Sequence, residues 1–450
     1  MTGGKNPETP RESHVSADAV RSAPSLGADA RVWFRIGCLS FGGPAGQIAL
    51  MQRMLVDELK WIAPARFLVG LDLCMLLPGP EAQQLATYVG WTRQGWKGGV
   101  IAGGLFVLPG AAVMLVLSSI YALWGAVPTI AALFSGVQCA VVAIVLEALV
   151  RLGRRALGSP GAYVLAALAF AALALFRLPF PVVVVGAGLG GLLLGQPPRA
   201  EKSDLGHESI ASLRRASWLP AAATAAVWLL PLAALVVAHG PGALLSRIAL
   251  RFAELAVVSF GGAYALLSAL AQQAVADGWL SAAQMAHGLG LAETTPGPLI
   301  LVLQFVAFVA ASLQSGSAAS SGALVAGAVA SGVALWALFP PSFLWIFLAA
   351  PYLERVERSP ALRRAVKGVT AAVVGVILHL SLWFALHVWF ARVAERRWGA
   401  LGLALPDPGS ADLGAIALTG VALVLLFGLR QSLGRTLAVA ALLGLVRSFL

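Results

Sequence analysis

The stretch Leu76-Leu77-Pro78-Gly79-Pro80-Glu81-Ala82-Gln83-Gln84 decides how this chain is read. It lies inside an apolar segment covering about 67–91. Two prolines flanking a glycine interrupt an α-helix, because each proline removes a backbone donor and its ring collides with the preceding turn. Pro80 nonetheless has the φ needed to open a new helix. The segment therefore reads as two half-helices meeting at Pro78–Pro80. The second presents unpaired N–H groups and the positive end of its dipole at the break. Within a membrane, irregular backbone persists only where protein buries it or where it lines a cavity. A helix N-terminus facing such a cavity is an anion site. The device recurs at Thr294-Thr295-Pro296-Gly297-Pro298, and another break is expected at Ser40-Phe41-Gly42-Gly43-Pro44.

Composition fits a membrane chain. Of 450 residues, 59% are hydrophobic and 11% charged, with a mean hydropathy of +0.84; a soluble domain carries about 25% charged residues. The net charge of +11 sits in short loops between apolar spans and makes no continuous basic face. Nucleic acid is therefore excluded as a partner, and anionic lipid headgroups account for the charge. Cys38, Cys74 and Cys139 fall singly in three apolar segments, with no metal or disulfide spacing.

In chain order, residues 1–29 are polar and rich in Ser, Pro and Ala, and read as a disordered cytoplasmic tail rather than a signal peptide. An N-terminal transporter half is expected over 30–195, a polar linker over 196–216, a linking transmembrane helix over 217–240 and a C-terminal half over 245–450. Apolar segments run at about 67–91, 99–124, 129–150, 161–176 and 179–195 in the first half. In the second they run near 248–274, 283–313, 322–350, 366–391, 411–428 and 433–449.

The second half repeats the first. Ser40-Phe41-Gly42-Gly43 matches Ser259-Phe260-Gly261-Gly262 at an offset of 219. Trp61 matches Trp279, and Pro78-Gly79-Pro80 matches Pro296-Gly297-Pro298, both at 218. Gly136-Val137-Gln138-Cys139-Ala140-Val141-Val142 matches Gly368-Val369-Thr370-Ala371-Ala372-Val373-Val374 at 232. The increase fits a Gly/Ser/Ala-rich insertion around 314–322. Four blocks in one order indicate a duplication. An even number of segments per half plus one linking crossing turns the second copy upside down, as in many secondary transporters. The expected fold is an all-α polytopic membrane protein built from two inverted-topology helical repeats with broken or re-entrant helices. Lys and Arg favour the loops on the N-terminal side, which places the N-terminus in the cytoplasm.

Other features have plainer readings. Val182-Val183-Val184-Val185-Gly186-Ala187-Gly188-Leu189-Gly190-Gly191 resembles the strand and glycines of a dinucleotide site, but the following helix is cut off at Gln196-Pro197-Pro198. Those glycines, like Gly95, Gly99 and Gly103, suit close helix contact. Asp72, Glu81, Glu147, Glu293 and His379 lie in apolar segments, where ionisable groups are costly and usually functional. His379 and His387 have no acidic cluster beside them and make a poor metal site. Arg35 either neutralises an anion or snorkels. Gln83, Gln84, Tyr88 and Gln304 are neutral donors for an oxyanion or for interhelical hydrogen bonds.

The paired Phe-Gly-Gly and Pro-Gly-Pro breaks, with Phe106-Val107-Leu108-Pro109 and Phe339-Pro340-Pro341-Ser342-Phe343-Leu344, resemble the chromate ion transporter family, whose members fuse two homologous halves. The resemblance covers nearly everything from Arg31 to about Phe390. It implies a multi-pass protein of the bacterial inner membrane that exports chromate, with the proton motive force as energy source. Two positions depart from the pattern: Gln47 stands where many members carry histidine, and Glu81 where a small residue is frequent. A transporter of another oxyanion such as sulfate, or a membrane-embedded enzyme, are the rival readings. No clustered nucleophile, base or metal ligands support the enzyme, and no cofactor is expected.

The substrate-binding residues expected are Phe41, Gly42, Gly43, Pro44, Pro78, Gly79, Pro80, Gln83, Gln84, Phe260, Gly261, Gly262, Pro296, Gly297, Pro298 and Gln304, converging near the bilayer midplane. Chromate or a related oxyanion, protons and membrane lipids are the expected partners. Glu81 and Glu293, beside the two Pro-Gly-Pro breaks, are the candidates for proton coupling.

Overall fold

The computed structural model describes residues 25–41, 43–125, 127–194, 218–258, 263–315, 320–350, 359–398 and 401–449. The expected polar linker, most of the N-terminal tail, Gly42 and Phe260-Gly261-Gly262 lie outside the described residues.

The chain is helical almost throughout. Before the linker come α1 (Leu26–Leu39), α2 (Gly43–Met51), a wider π-helical stretch (Gln52–Glu58), α3 (Pro64–Leu76), α4 (Glu81–Trp124), α5 (Pro128–Ala156), α6 (Pro160–Ala174) and α7 (Phe180–Leu194). The linking helix is α8 (Trp218–His239). After it come α9 (Leu244–Val258), α10 (Ala263–Ala276), α11 (Ala282–Thr294), α12 (Val302–Gln314), α13 (Ser321–Leu338), α14 (Pro340–Ala349) and α15 (Pro360–Trp389). A β-hairpin, β1 (Val393–Trp398) with β2 (Leu401–Pro406), precedes α16 (Leu413–Leu423) and α17 (Leu433–Arg447).

Local sequence explains the starts. Pro64, Pro128, Pro160, Pro340 and Pro360 open helices at positions where a missing N–H costs nothing. Ser159, Ser281 and Ser320 cap their helices with side-chain oxygens, and Ser281 forms a capping box with Gln284. Ser25 caps α1, accepting the Ala28 N–H at 3.2 Å. Regular structure therefore begins at Leu26, inside the tail expected over 1–29, because Asp29 is buried and held by Arg93.

Five helices among the described residues are long and apolar enough to cross a membrane: Glu81–Trp124, Pro128–Ala156, Leu219–His239, Ser321–Ala349 and Arg363–Trp389. The chain is an all-α polytopic membrane protein. The polar interval expected between segments 67–91 and 99–124 is not a loop. α4 runs through it and only bends at Gln94–Gly95, where Gly95 takes a φ of 62°. The β-hairpin was not expected; it lies against the α6–α7 turn, with Gly402 N–H donating to the Leu175 carbonyl at 2.8 Å.

Small residues bring the helices together twice in the same way. Gly136 of α5 lies against the Ala440 backbone of α17, and a Cβ at Gly444 would stand 2.6 Å from the Ala132 carbonyl oxygen. Gly368 of α15, equivalent to Gly136, lies against the Ala187 carbonyl of α7, and a Cβ there would stand 2.5 Å from the Gly191 Cα. Thus α5 packs on the last helix of the second half, and α15 on the last helix of the first. α8 is fastened to the second half by two indoles: Trp228 Nε1 donates to the Ala337 carbonyl at 3.0 Å and Trp336 Nε1 to the Val227 carbonyl at 3.2 Å.

Candidate functional site

Both Pro-Gly-Pro sequences break their segments into half-helices. α3 and α11 have 13 residues each, roughly 20 Å of helix and too short to span the ~30 Å hydrocarbon core alone. Gly79 (φ 125°) and Gly297 (φ 89°) occupy backbone conformations that a Cβ disfavours. Pro80 and Pro298 are the caps of the new helices, not their first helical residues, because both keep an extended ψ (106° and 134°). After Pro298 the chain makes a 3₁₀ turn, Leu299–Leu301, before α12 starts.

Neither helix start has a capping side chain. The first N–H groups of a helix have no acceptor within it, and here those of Ala82, Gln83, Leu299 and Ile300 belong to buried residues. A buried, uncapped N-terminus calls for another partner.

Around the first break the polar atoms are incompletely paired. Gln84 Nε2 donates to the Pro78 carbonyl at 2.7 Å, but its Oε1 has no partner. Both amide atoms of fully buried Gln83 lack one. The Ser342 hydroxyl of α14 is also buried and unpartnered. It lies at the break itself, for a Cβ on Gly79 would be 2.8 Å from Ser342 Oγ and 2.8 Å from Gln84 Nε2. A buried unsatisfied polar group costs about 1–3 kcal/mol, so the unpartnered atoms of Gln84 and Ser342 at the break, and of Gln83 one residue before Gln84, call for a partner. Glu81, half-buried, is the first helical residue of α4.

The second break is closed by the first half. Gly297 N–H donates to the Ser40 carbonyl at 2.8 Å, and Gln47 Nε2 donates to the Gly297 carbonyl at 2.6 Å. Gly110 of α4 packs against the Pro296 carbonyl. Gln304 Nε2 reaches the Ala111 carbonyl at 2.9 Å. The Oε1 atoms of Gln47 and Gln304 remain unpartnered. Glu293, buried, stands two residues before Thr295, whose hydroxyl donates to the Leu291 carbonyl at 2.7 Å.

Of the expected site residues, the structure joins the Ser40–Pro44 break to Pro296–Pro298, and sets Pro78–Pro80 beside α14. The Phe41 side chain is exposed. Ser40, Gln47, Gly110 and Ser342 belong to the site but were not among the residues expected there. Ser342 sits 232 positions after Gly110, so the repeat offset was the signal that could have found it. Several other residues have local roles. Glu147 pairs with Arg151 at 3.7 Å, Tyr88 stacks near Trp91 with centroids 6.4 Å apart, and His387 contacts the Trp383 carbonyl at 2.8 Å. Arg35 is exposed. The segment 182–191 is helical, part of α7, and Gly191 packs on Gly368.

The profile of the family described as chromate transporter matches residues 29–192 and 246–446, one stretch in each half. A chromate transport protein of Pseudomonas aeruginosa is 34% identical over 349 residues, 77% of either chain. A probable chromate transport protein of Synechococcus elongatus is 31% identical, over 80% of this chain and 84% of its own. A chromate transport protein of Cupriavidus metallidurans is 29% identical, over 81% and 84% respectively. No solved structure matches the chain. With both halves matched in order, the chain belongs to the chromate transporter family.

Proposed function

We propose that this protein is a secondary active transporter that exports chromate across the bacterial inner membrane, driven by the proton motive force, with its N-terminus in the cytoplasm. The observation that carries the reading is the uncapped, buried start of α4, with two unpartnered buried donors, Gln83 Nε2 in its first turn and Ser342 Oγ at the break. Backbone N–H groups at a helix N-terminus, amides and a hydroxyl together suit a tetrahedral oxyanion and bind it without a fixed cation, so release stays easy. Glu81 and Glu293 are the carboxylates placed to exchange a proton as the anion moves. The names of the relatives favour chromate; sulfate has the same shape and charge.

The two halves, 30–195 and 245–450, are read as an inverted repeat joined by the linker at 196–216 and the helix at 217–240. Equivalent helices running antiparallel support this: Gly99 of α4 meets Phe347 of α14, whereas Gly103 meets Phe343. The test is uptake by everted membrane vesicles energised to be acidic inside. Chromate accumulation that collapses with an uncoupler and resists excess sulfate is expected. Accumulation of sulfate instead, or none of either, would overturn the assignment.

A further inference from the structure

We infer that His287 is the site where a proton is held between the two halves, with Gln138 adapting to its charge. This rests on the transport reading above. His287 lies in α11, the helix that ends at the second Pro-Gly-Pro break. Its ring is packed by Phe134, with centroids 4.8 Å apart, and by Tyr121 at 5.6 Å. Both ring nitrogens are met by polar groups of the opposite half. Tyr121 Oη of α4 stands 2.9 Å from Nδ1, and Gln138 Nε2 of α5 faces Nε2.

With the Gln138 amide oriented so that its nitrogen faces the ring, one protonation pattern follows. A Gln138 N–H donor makes Nε2 an acceptor, so the single proton of the neutral imidazole sits on Nδ1 and is donated to Tyr121 Oη. An imidazolium needs acceptors on both sides. Tyr121 already accepts. Gln138 becomes an acceptor by turning its amide half a revolution about a soft terminal torsion, which brings Oε1 to where Nε2 stood. The pocket thus satisfies both charge states with no helix displaced.

Several titratable groups on the helices packed around α11 have partners or positions of their own. On α5, Glu147 is paired with Arg151, and Cys139 donates to the Ser135 carbonyl. On α17, Arg447 is paired with Asp412; on α4, Arg93 is paired with Asp29 and Glu81 stands at the helix start; on α15, His379 packs near Phe170. Glu293 is six residues further along α11 itself. Among the described residues only Tyr121 and Gln138 are hydrogen-bonded to the ring. The equivalent position in the first half, 218 residues earlier, is buried Val69, which cannot hold a proton.

The test uses the purified full-length chain in proteoliposomes. Two chromate fluxes are compared: uptake driven by an imposed pH gradient, and counterflow without one. His287→Asn removes the proton carrier but keeps a small polar side chain, and is expected to lower the ratio of driven uptake to counterflow at least tenfold. Gln138→Glu places a carboxylate beside the imidazole, which favours its charged form. It is expected to move the pH midpoint of driven uptake upward by about one unit. Wild-type ratios in His287→Asn, or an unmoved midpoint in Gln138→Glu, would overturn the inference; the second variant decides if the first fails to fold. Wild-type counterflow with no response to the pH gradient overturns the proton site and leaves anion transport standing. Absence of any chromate flux in the wild type overturns both.

Discussion

The side-chain amide of Gln47 donates to the carbonyl of Gly297 at 2.6 Å, across 250 residues of sequence. With the Gly297 N–H bonded to the Ser40 carbonyl at 2.8 Å, both backbone groups of the glycine in one half's break are satisfied by the other half's break. The two broken segments are therefore one structural unit. Gln47→Leu should leave the buried Gly297 carbonyl without its partner, at a cost of about 1–3 kcal/mol. The expected result is a lower melting temperature in detergent and weakened chromate efflux, both partly recovered in Gln47→Asn if the shorter amide reaches. An unchanged melting temperature in Gln47→Leu would show that the bond adds nothing.

Gly79→Ala and Gly297→Ala should each abolish most transport while the protein remains in the membrane. At positive φ a Cβ costs roughly 1–2 kcal/mol. At Gly79 it would also stand 2.8 Å from both Ser342 Oγ and Gln84 Nε2, filling the space assigned to the anion. Chromate accumulation by everted vesicles, normalised to inserted protein, gives the comparison. Normal accumulation in both variants would remove the helix-end mechanism.

Much of this was legible in the sequence, because proline and glycine act locally. Pro78-Gly79-Pro80 cannot be helical whatever surrounds it, and the offset of 218 to Pro296-Gly297-Pro298 gives the duplication. The same offset relates Trp61 to Trp279, whose rings meet Trp33 and Phe252 at 6.3 and 6.2 Å. Arg93 stacks on Trp61 and Arg247 lies over Trp279. Those cations come from unrelated positions, α4 in one half and α9 in the other, so no offset reveals them. Ser342 and Gln47 both stand out in the sequence, but what they touch is not legible there. A lone serine or glutamine acquires meaning only when a helix from elsewhere carries it to a break. The bend at Gln94–Gly95 falls between the two apolar segments, where Arg93 and Lys97 make the sequence polar. In fact Arg93 turns inward to Asp29, with Nε 2.9 Å from Oδ2.

Asp412 should make part of the stability depend on pH. Its Oδ1 caps α16, accepting the Ala415 N–H at 2.9 Å, and its Oδ2 pairs with Arg447 at 2.7 Å. Partial burial pushes its pKa up, but the Ala415 N–H and the Arg447 guanidinium outweigh that and hold it below the ordinary carboxylate value. A lowered folded-state value means that the stabilisation is present above the unfolded-state value of about 3.9. It is lost as pH falls through the folded one. Asp412→Asn, which still caps the helix but loses the charge, should therefore lower the melting temperature at pH 7 by an amount equivalent to about 0.2–1 kcal/mol for an exposed ion pair. The gap should close as pH drops towards 3. A gap independent of pH would mean that the carboxylate charge is irrelevant.

Glu81→Gln and Glu293→Gln test the carboxylates beside the breaks. Glu81 is the first residue of α4 and Glu293 is buried near the end of α11. If either exchanges a proton with the passing anion, its amide form should reduce pH-driven chromate efflux at least tenfold and flatten the dependence on external pH. Chromate resistance of cells grown over a range of pH provides the measurement. Full resistance at every pH in both variants would exclude the role, and would leave His287 as the remaining candidate.

The inversion of the two halves has a direct topological test. Glu58, which ends the π-helical stretch after α2, and Ala276, which ends α10, are both exposed and lie 218 positions apart. Each precedes a turn whose next residues include the paired tryptophans, Trp61 and Trp279. An axis in the membrane plane carries one of these turns to the opposite face of the bilayer; an axis along the membrane normal leaves both on the same face. Glu58→Cys and Ala276→Cys, each made after Cys38, Cys74 and Cys139 have been replaced by alanine, give one reactive thiol per molecule. A membrane-impermeant maleimide added to intact spheroplasts should label one variant, and added to everted vesicles should label the other. Labelling of both thiols from the same side would refute the inverted repeat.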